Sequence, residues 1–338
     1  MTNNDDLPAP TEKGRLGICN LKRAWFIIRH SSTIDPALQQ SEFHKTTMTF
    51  DVAGIGIPEA TAFIYSHSAS FDEFEDWVKN KGLRSEESIE LFNAVVSGRY
   101  ASSGIVEPNR ETPTLTTDDL SHWNEFGYVI VRNAVPKDDC QILVEFIESS
   151  LNRADKATEH AATSDISQGI MLNIFQHSAM TRNRFAPRVQ EAFQQLWGRN
   201  DLVVSNDRLG YNRPSNSSSQ IGVTDIHWDV SLKQPIPFST QGILYLADTA
   251  ENQGAFAVVP GFHRTIGNWL ESLPEGADPR KQDFEKLGLK RIAANQGDLI
   301  IWHQALPHGA TPNKHHLPRY VQYINYRPFD LEVADEWI

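Results

Sequence analysis

The chain has 338 residues, with 31 Lys and Arg against 43 Asp and Glu, for a formal charge of −12. Hydrophobic residues make up 40% and charged residues 22%, an ordinary globular composition that excludes wholesale disorder and fibrous repeats. The acidic balance offers no dense basic patch to a phosphate backbone, so no nucleic-acid partner is expected. No apolar stretch of about 18 residues occurs, so no membrane association is expected either.

Cys19 and Cys140 stand far apart and in no metal-binding spacing, which fits a reducing compartment. The first residues, Met1 to Asp6, are polar and acidic without an apolar core, so a cytoplasmic location is expected rather than secretion.

Residues 1–14 read as a frayed, disordered tail with Pro8, Pro10 and Gly14. Residues 15–110 read as an accessory segment of mixed structure. Its run Ala24-Trp25-Phe26-Ile27-Ile28 is of undecided type. Ser70-Phe71-Asp72-Glu73 is a capping box that predicts a helix through Lys79, closed by Gly82. Glu87 to Val96 predicts another, closed by Gly98. No chemistry is legible in this segment. Residues 102–114 form a turn-rich connector, and residues 111–338 make up the main domain.

Leu115 to Leu120 starts a helix, Gly127 stops it, and Tyr128–Val131 reads as a strand. Pro136 opens a helix to about Asn152, with Ile142, Leu143, Phe146, Ile147 and Leu151 at near-helical spacing. Residues 153–170 are polar and loop-like. Short β-like runs then follow at Leu202–Ser205, Ile243–Leu246, Ala255–Val259, Leu299–Trp302 and Tyr320–Tyr326. Many short strands punctuated by turns predict a mainly β sandwich or barrel with flanking helices.

Of twelve histidines, only His227 begins an His-x-Asp triplet, with Trp228 and Asp229. Residues two apart in a strand face the same way, so His227 and Asp229 can present a nitrogen and an oxygen to one ion. His308, before Gly309, is the best third donor. Two His and one carboxylate on one face leave open positions for small ligands, the facial triad of non-haem Fe(II) oxygenases. Arg319 follows His308 by 11 residues (319 − 308) and can hold a distal carboxylate bidentately. A dicarboxylic keto acid, 2-oxoglutarate, meets that demand.

The set of landmarks resembles the phytanoyl-CoA dioxygenase family. It runs from Leu115-Thr116 through Gly127-Tyr128-Val129-Ile130-Val131-Arg132-Asn133-Ala134 to His227-Trp228-Asp229. It continues with Ala247-Asp248, Glu251-Asn252-Gln253-Gly254-Ala255, Val259-Pro260-Gly261-Phe262-His263, Gly297-Asp298, His308-Gly309 and Arg319. The resemblance covers about residues 115–328 and leaves the first 110 uncovered. It implies a double-stranded β-helix (jelly-roll, cupin-like) core, Fe(II), 2-oxoglutarate and O2. It carries His227, Asp229 and His308 over as iron ligands and Arg319 as the anchor of the cosubstrate's far carboxylate.

Two positions depart from the family's pattern, where a Ser often follows the distal His and the Arg by two residues. Here they are Ala310 and Val321, so hydroxyl support for the cosubstrate is expected either from elsewhere, at Thr311 or Thr240, or not at all. Asp229 occupies the position that related halogenases leave free for chloride, so C–H oxidation rather than halogenation is expected.

His303 rivals His308 as distal ligand but reads as a core or supporting histidine. His263 reads as a turn residue, and His315 and His316 as solvated. Trp228 should point away from the metal. Asp225 reads at most as a supporting acid, and Arg208 as a partner of Asp207 or a contact for substrate. Residues Ser164–Phe175, with Gln168 and Asn173, read as a loop over the site. The function expected is oxidation of an unactivated C–H bond in a small-molecule substrate. Substrate and oligomeric state are open. A zinc hydrolase on the same ligands and a non-catalytic jelly-roll binding module are the other readings.

Overall fold

A computed structural model describes residues 6–67, 70–81, 85–100, 113–157, 167–215, 226–334 and 336–338. The N-terminal part is helical: α1 (Leu21–Arg29), α2 (Pro36–Val52), α3 (Ile57–His67), α4 (Phe71–Lys79) and α5 (Glu86–Val96). The Ser70 hydroxyl accepts from Glu73 N while Glu73 accepts from Ser70 N, the reciprocal cap expected from the sequence. Gly82 and most of the 102–114 connector lie outside the described residues. These helices enclose a core built on Leu21, Phe50, Ile64, Phe74 and Phe92.

After α6 (Thr117–Phe126) come β1 (Tyr128–Val131), α7 (Lys137–Ala157), β2 (Ser167–Gln168) and β3 (Met171–Leu172). Two helices, α8 (Ser178–Arg184) and α9 (Pro187–Trp197), precede β4 (Leu202–Val204), β5 (Leu209–Asn212), β6 (Thr240–Tyr245) and β7 (Phe256–Val258). Then follow α10 (Ile266–Ser272), β8 (Lys290–Ile292), β9 (Leu299–His303), β10 (His308–Ala310), β11 (Arg319–Tyr323) and β12 (Tyr326–Pro328).

The strands pair antiparallel. Among the described residues they form a seven-stranded sheet in the order β1-β9-β6-β11-β5-β3-β2, a three-stranded sheet β10-β7-β8 and a pair β12-β4. Strand parity sorts the large sheet's two faces. Leu244, Leu299, Ile301 and Tyr320 enter one core with α7 and α9. Ile243, Tyr245, Ile300, Trp302 and Val321 enter the other, with Phe256, Val258 and Ile292 of the small sheet. The site lies on this second face.

Three expectations are corrected. Helix outweighs strand among the described residues, so the chain is mixed α and β with antiparallel sheets rather than mainly β. The excess comes from α1–α5, of which the sequence announced only α4 and α5, and from α8 and α9. Residues 6–14, expected as a frayed tail, are held in place: Pro8 O accepts from Arg23 at 2.9 Å and Pro10 O from Asn20 N at 2.6 Å. His227 and Asp229 sit on no strand, because His227 makes only an isolated bridge to His308 and Asp229 lies in a bend. Cys19 and Cys140 are buried and form no disulfide. No helix among the described residues is long and apolar enough to cross a membrane.

Candidate metal centre and its cavity

The His227–His308 bridge brings two imidazoles together across 81 residues (308 − 227), with reciprocal backbone bonds of 2.9 and 3.0 Å. Asp229 completes the cluster: Oδ1 lies 3.3 Å from His227 Nε2, and Oδ2 lies 3.2 Å from His308 Nε2. One donor atom from each of the three residues lies within 4.8 Å of the others. Neighbouring donors on a metal with bonds of about 2.1 Å at right angles stand about 3 Å apart, so the spacing suits one ion.

The protonation pattern also asks for a cation. His308 Nδ1 donates to Leu306 O at 3.0 Å, which leaves the Nε2 lone pair of the neutral ring facing a carboxylate oxygen. Two acceptors face each other there until a proton or a metal ion sits between them. Desolvation pulls the Asp229 carboxyl upward, but a proton shared with the His227 or His308 imidazole, together with the bond from Gln241, outweighs it and holds the group well below the usual carboxylate range. Asp229 is therefore charged and ready to bind a cation.

Gln241 is a residue that sequence reasoning missed. Its Nε2 donates to Asp229 Oδ2 at 2.6 Å, and its Oε1 accepts from Trp302 Nε1 at 3.0 Å. No local signal marks it. Its importance comes from register, because β6 residues 241, 243 and 245 share the face that meets the site.

Arg319 opens β11 on that same face and is 1% exposed, yet its Nε and Nη2 have no hydrogen-bond partner. A buried guanidinium with two unsatisfied nitrogens is costly, and a carboxylate bound bidentately is its natural complement. It lines the same cavity as the three metal-ligand candidates, a space of about 380 Å³ within the size range of small-molecule sites. The donor set fits a divalent metal, and the orphaned guanidinium fits a dicarboxylate.

The cavity has two unlike walls. Ile243, Phe256, Trp302 and Ala310 come from the sheets, while Thr47, Asp51, Ile57 and Pro58 come from α2 and α3. The N-terminal segment, in which no chemistry was legible, thus borders the site. Asp51 accepts from Asn206 N at 2.7 Å and pairs with Arg327. Gln176 Nε2 donates to Gly54 O at 2.7 Å and to Glu59 at 3.1 Å.

The hydroxyls expected to support the cosubstrate do not line this cavity. Thr240 has the opposite parity to Gln241, and its hydroxyl is taken by Trp197 at 3.1 Å and Asn325 at 3.0 Å. Thr311 donates to Ala255 O at 3.2 Å. Both are therefore withdrawn from that role.

His303 lies apart from the cluster, packed against Phe238 and His263. Burial, with a smaller push from His263, lowers its pKa to about 4. Trp228 points away as expected, buried against Phe262, Trp269 and Phe284. Arg208 lines the cavity and also pairs with Asp207 at 3.8 Å. From the expected loop, Ile170, Met171 and Phe175 line the cavity, whereas residues 164–166 and Asp225 lie outside the described residues.

Two imidazoles, a charged carboxylate and a guanidinium with two unsatisfied nitrogens around one small cavity are a donor set of the kind that non-haem iron oxygenases use. Residues 123–320, over half of the chain, match the model of the phytanoyl-CoA dioxygenase (PhyH) family, and the chain belongs to that family. It is a non-haem Fe(II)- and 2-oxoglutarate-dependent dioxygenase, with O2 as the second cosubstrate. The readings as a zinc hydrolase or a non-catalytic module are thereby set aside. A Dictyostelium discoideum protein provisionally named a phytanoyl-CoA dioxygenase is 26% identical over 258 residues, covering 61% of this chain and 74% of its own.

Two solved structures show some similarity to this chain. AviO1 from Streptomyces viridochromogenes Tue57 is 16% identical, covers 66% of this chain and 100% of its own, and has a TM-score of 0.47. EctD from S. alaskensis, solved with 2-oxoglutarate and 5-hydroxyectoine, is 17% identical, covers 68% and 82%, and has a TM-score of 0.48.

Proposed function

We propose that this dioxygenase oxidises an unactivated C–H bond of a small-molecule substrate, most simply by hydroxylation, within a jelly-roll core formed by the two facing sheets. In this reading His227, Asp229 and His308 hold the iron and Arg319 holds the far carboxylate of 2-oxoglutarate. The observation that carries it is the joint placement on one cavity of the three donor groups and a 1%-exposed guanidinium with two unpaired nitrogens. When bound, the iron supplies O2 activation coupled to loss of CO2 from 2-oxoglutarate, with succinate as the co-product.

The chain's own residues do the rest. Leu306 O fixes the His308 tautomer, so that Nε2 offers its lone pair to the metal. Gln241 and Trp302 hold the carboxylate in place. Arg319 orients the cosubstrate, and Phe256, Trp302 and Ile243 keep water from the reacting region. The presence of Asp229 favours oxygenation over halogenation, which needs that coordination position free.

Within residues 15–110, α2 and α3 act as a substrate-side wall for the 111–338 domain, so the segment is not a free accessory unit. Thr47, Ile57 and Pro58 face the cavity, while Asp51 and its partners tie the wall down. The substrate is a free small molecule in the cytoplasm. Neither a nucleic acid nor a membrane is a partner in this reading.

The test is anaerobic titration of metal-free protein with Fe(II) and 2-oxoglutarate, followed by a compound screen scored by succinate release. The visible charge-transfer band of the chelate is expected. Its absence at saturating concentrations of both would refute the site.

A further inference from the structure

His227 and His308 are fixed by their mutual backbone bridge, but no strand pairing fixes the backbone of Asp229, whose carboxylate alone is held by Gln241 of β6. Residues 228–234 belong to no strand. A ligand carried on a bend outside the strand ladder needs its backbone constrained if it is to return to the same position each time metal binds.

That constraint comes from Arg280. Its Nη1 donates to Trp228 O at 2.8 Å and its Nη2 to Val230 O at 2.8 Å, the carbonyls on either side of Asp229. The same Nη2 reaches Ile338 O at 3.1 Å, and the Trp337 ring lies 5.1 Å from the guanidinium. Arg280 is itself placed by a 3-10 turn, Pro279–Lys281, whose Asp278 cap accepts from Arg280 N at 2.9 Å. One planar fork thus holds the carbonyls of the two residues that flank Asp229, which restrains the backbone on both sides of it and so the direction of its side chain. A lysine, with a single ammonium, does not reproduce that fork.

We propose that Arg280 is a positioning residue for the metal centre. It acts through the backbone of residues 228–230 to pre-set Asp229, although it does not touch the metal. The assignment rests on Asp229 being a metal ligand. Gln241 grips the carboxylate itself, whereas Arg280 grips the chain that carries it, so the two act on separate parts of the same ligand.

The experiment uses the full chain and Co(II) alone, which reports binding and coordination geometry through its visible d–d spectrum. Wild type, Arg280→Gln, Arg280→Lys and a control, Arg291→Gln, are compared at a temperature well below every melting point. Arg291 pairs with Glu285 on an exposed surface and serves as a test of general charge effects. Arg280→Gln should weaken Co(II) binding by roughly tenfold or more, with an altered d–d band, and Arg280→Lys by an intermediate factor. Arg291→Gln should match wild type.

A folded Arg280→Gln protein that binds Co(II) within twofold of wild type, with the same spectrum, would overturn the proposal. Should Arg280→Gln fail to fold, Arg280→Lys decides the matter by the same two readouts. A purely structural role would lower the melting temperature and leave affinity and spectrum unchanged. If wild type itself takes up no Co(II), it is the metal-site reading that fails.

Discussion

Replacing Arg319 by methionine separates function from stability in opposite directions. Arg319 is 1% exposed, and its Nε and Nη2 have no partner. Without 2-oxoglutarate the fold carries a buried cation only partly compensated, so its removal relieves a desolvation cost. With 2-oxoglutarate the same guanidinium makes two charge-assisted hydrogen bonds, each worth about 1.5–3 kcal/mol. Allowing for non-additivity, their loss weakens cosubstrate binding by about 3–5 kcal/mol, or roughly two to three and a half orders of magnitude at about 1.4 kcal/mol per decade. The assay is anaerobic titration of 2-oxoglutarate into the Fe(II)-loaded variant, followed by the charge-transfer band, beside thermal melting of the protein free of cosubstrate. The variant should melt no lower than wild type yet need far more 2-oxoglutarate. An unchanged requirement would refute the anchoring role, and a steep fall in melting temperature would show that Arg319 is already satisfied within the fold.

His308→Ala should abolish the chelate band while His303→Ala keeps most of it, since His303 packs between Phe238 and His263 away from the carboxylate; the reverse pattern would exchange their roles. Burial lowers the pKa of both His303 and His44 to about 4, against an ordinary value of 6.5. The unfolded chain therefore binds more protons between pH 4 and 6.5, so stability is full above that window and falls as pH drops through it. Each group should cost about 1 kcal/mol between pH 7 and 5 once partial exposure is allowed for. Urea melts at the two pH values should show a shallower dependence in His303→Gln, and equal slopes would count against a buried neutral imidazole. Asp51→Asn removes one partner of a buried ion pair and should destabilise by about 3 kcal/mol. It should also raise hydrogen exchange in residues 36–67 while sparing the chelate band, and loss of the band instead would mean that α2 supports the metal and not the substrate side.

Features that depend on neighbours in sequence were readable from the chain. The Ser70–Glu73 cap and the αL stop at Gly127 (φ 76°) are settled within one helical turn, by side chains that reach their own backbone. Strands such as Leu299–His303 announce themselves by apolar runs, and the triplet at His227 with the His-Gly step at His308 named the donor groups. α2 escaped notice because its apolar positions spread around the helix instead of forming a stripe, leaving no periodic signal.

Thr240 was mistaken for a cosubstrate contact because the register of β6, which turns Gln241 inward and Thr240 outward, is set by pairing with β9 and β11. Arg280 and Gln241 meet Asp229 and its backbone from 51 and 12 residues away in sequence (280 − 229 and 241 − 229), as their bonds to Trp228 O and Asp229 Oδ2 require. The chain by itself thus determined which side chains can bind a metal and an anion. Their convergence, and the wall that α2 and α3 raise opposite them, was decided only by the tertiary structure. Hydrogen bonds and strand parity between distant segments have no imprint in the order of residues along any one of them.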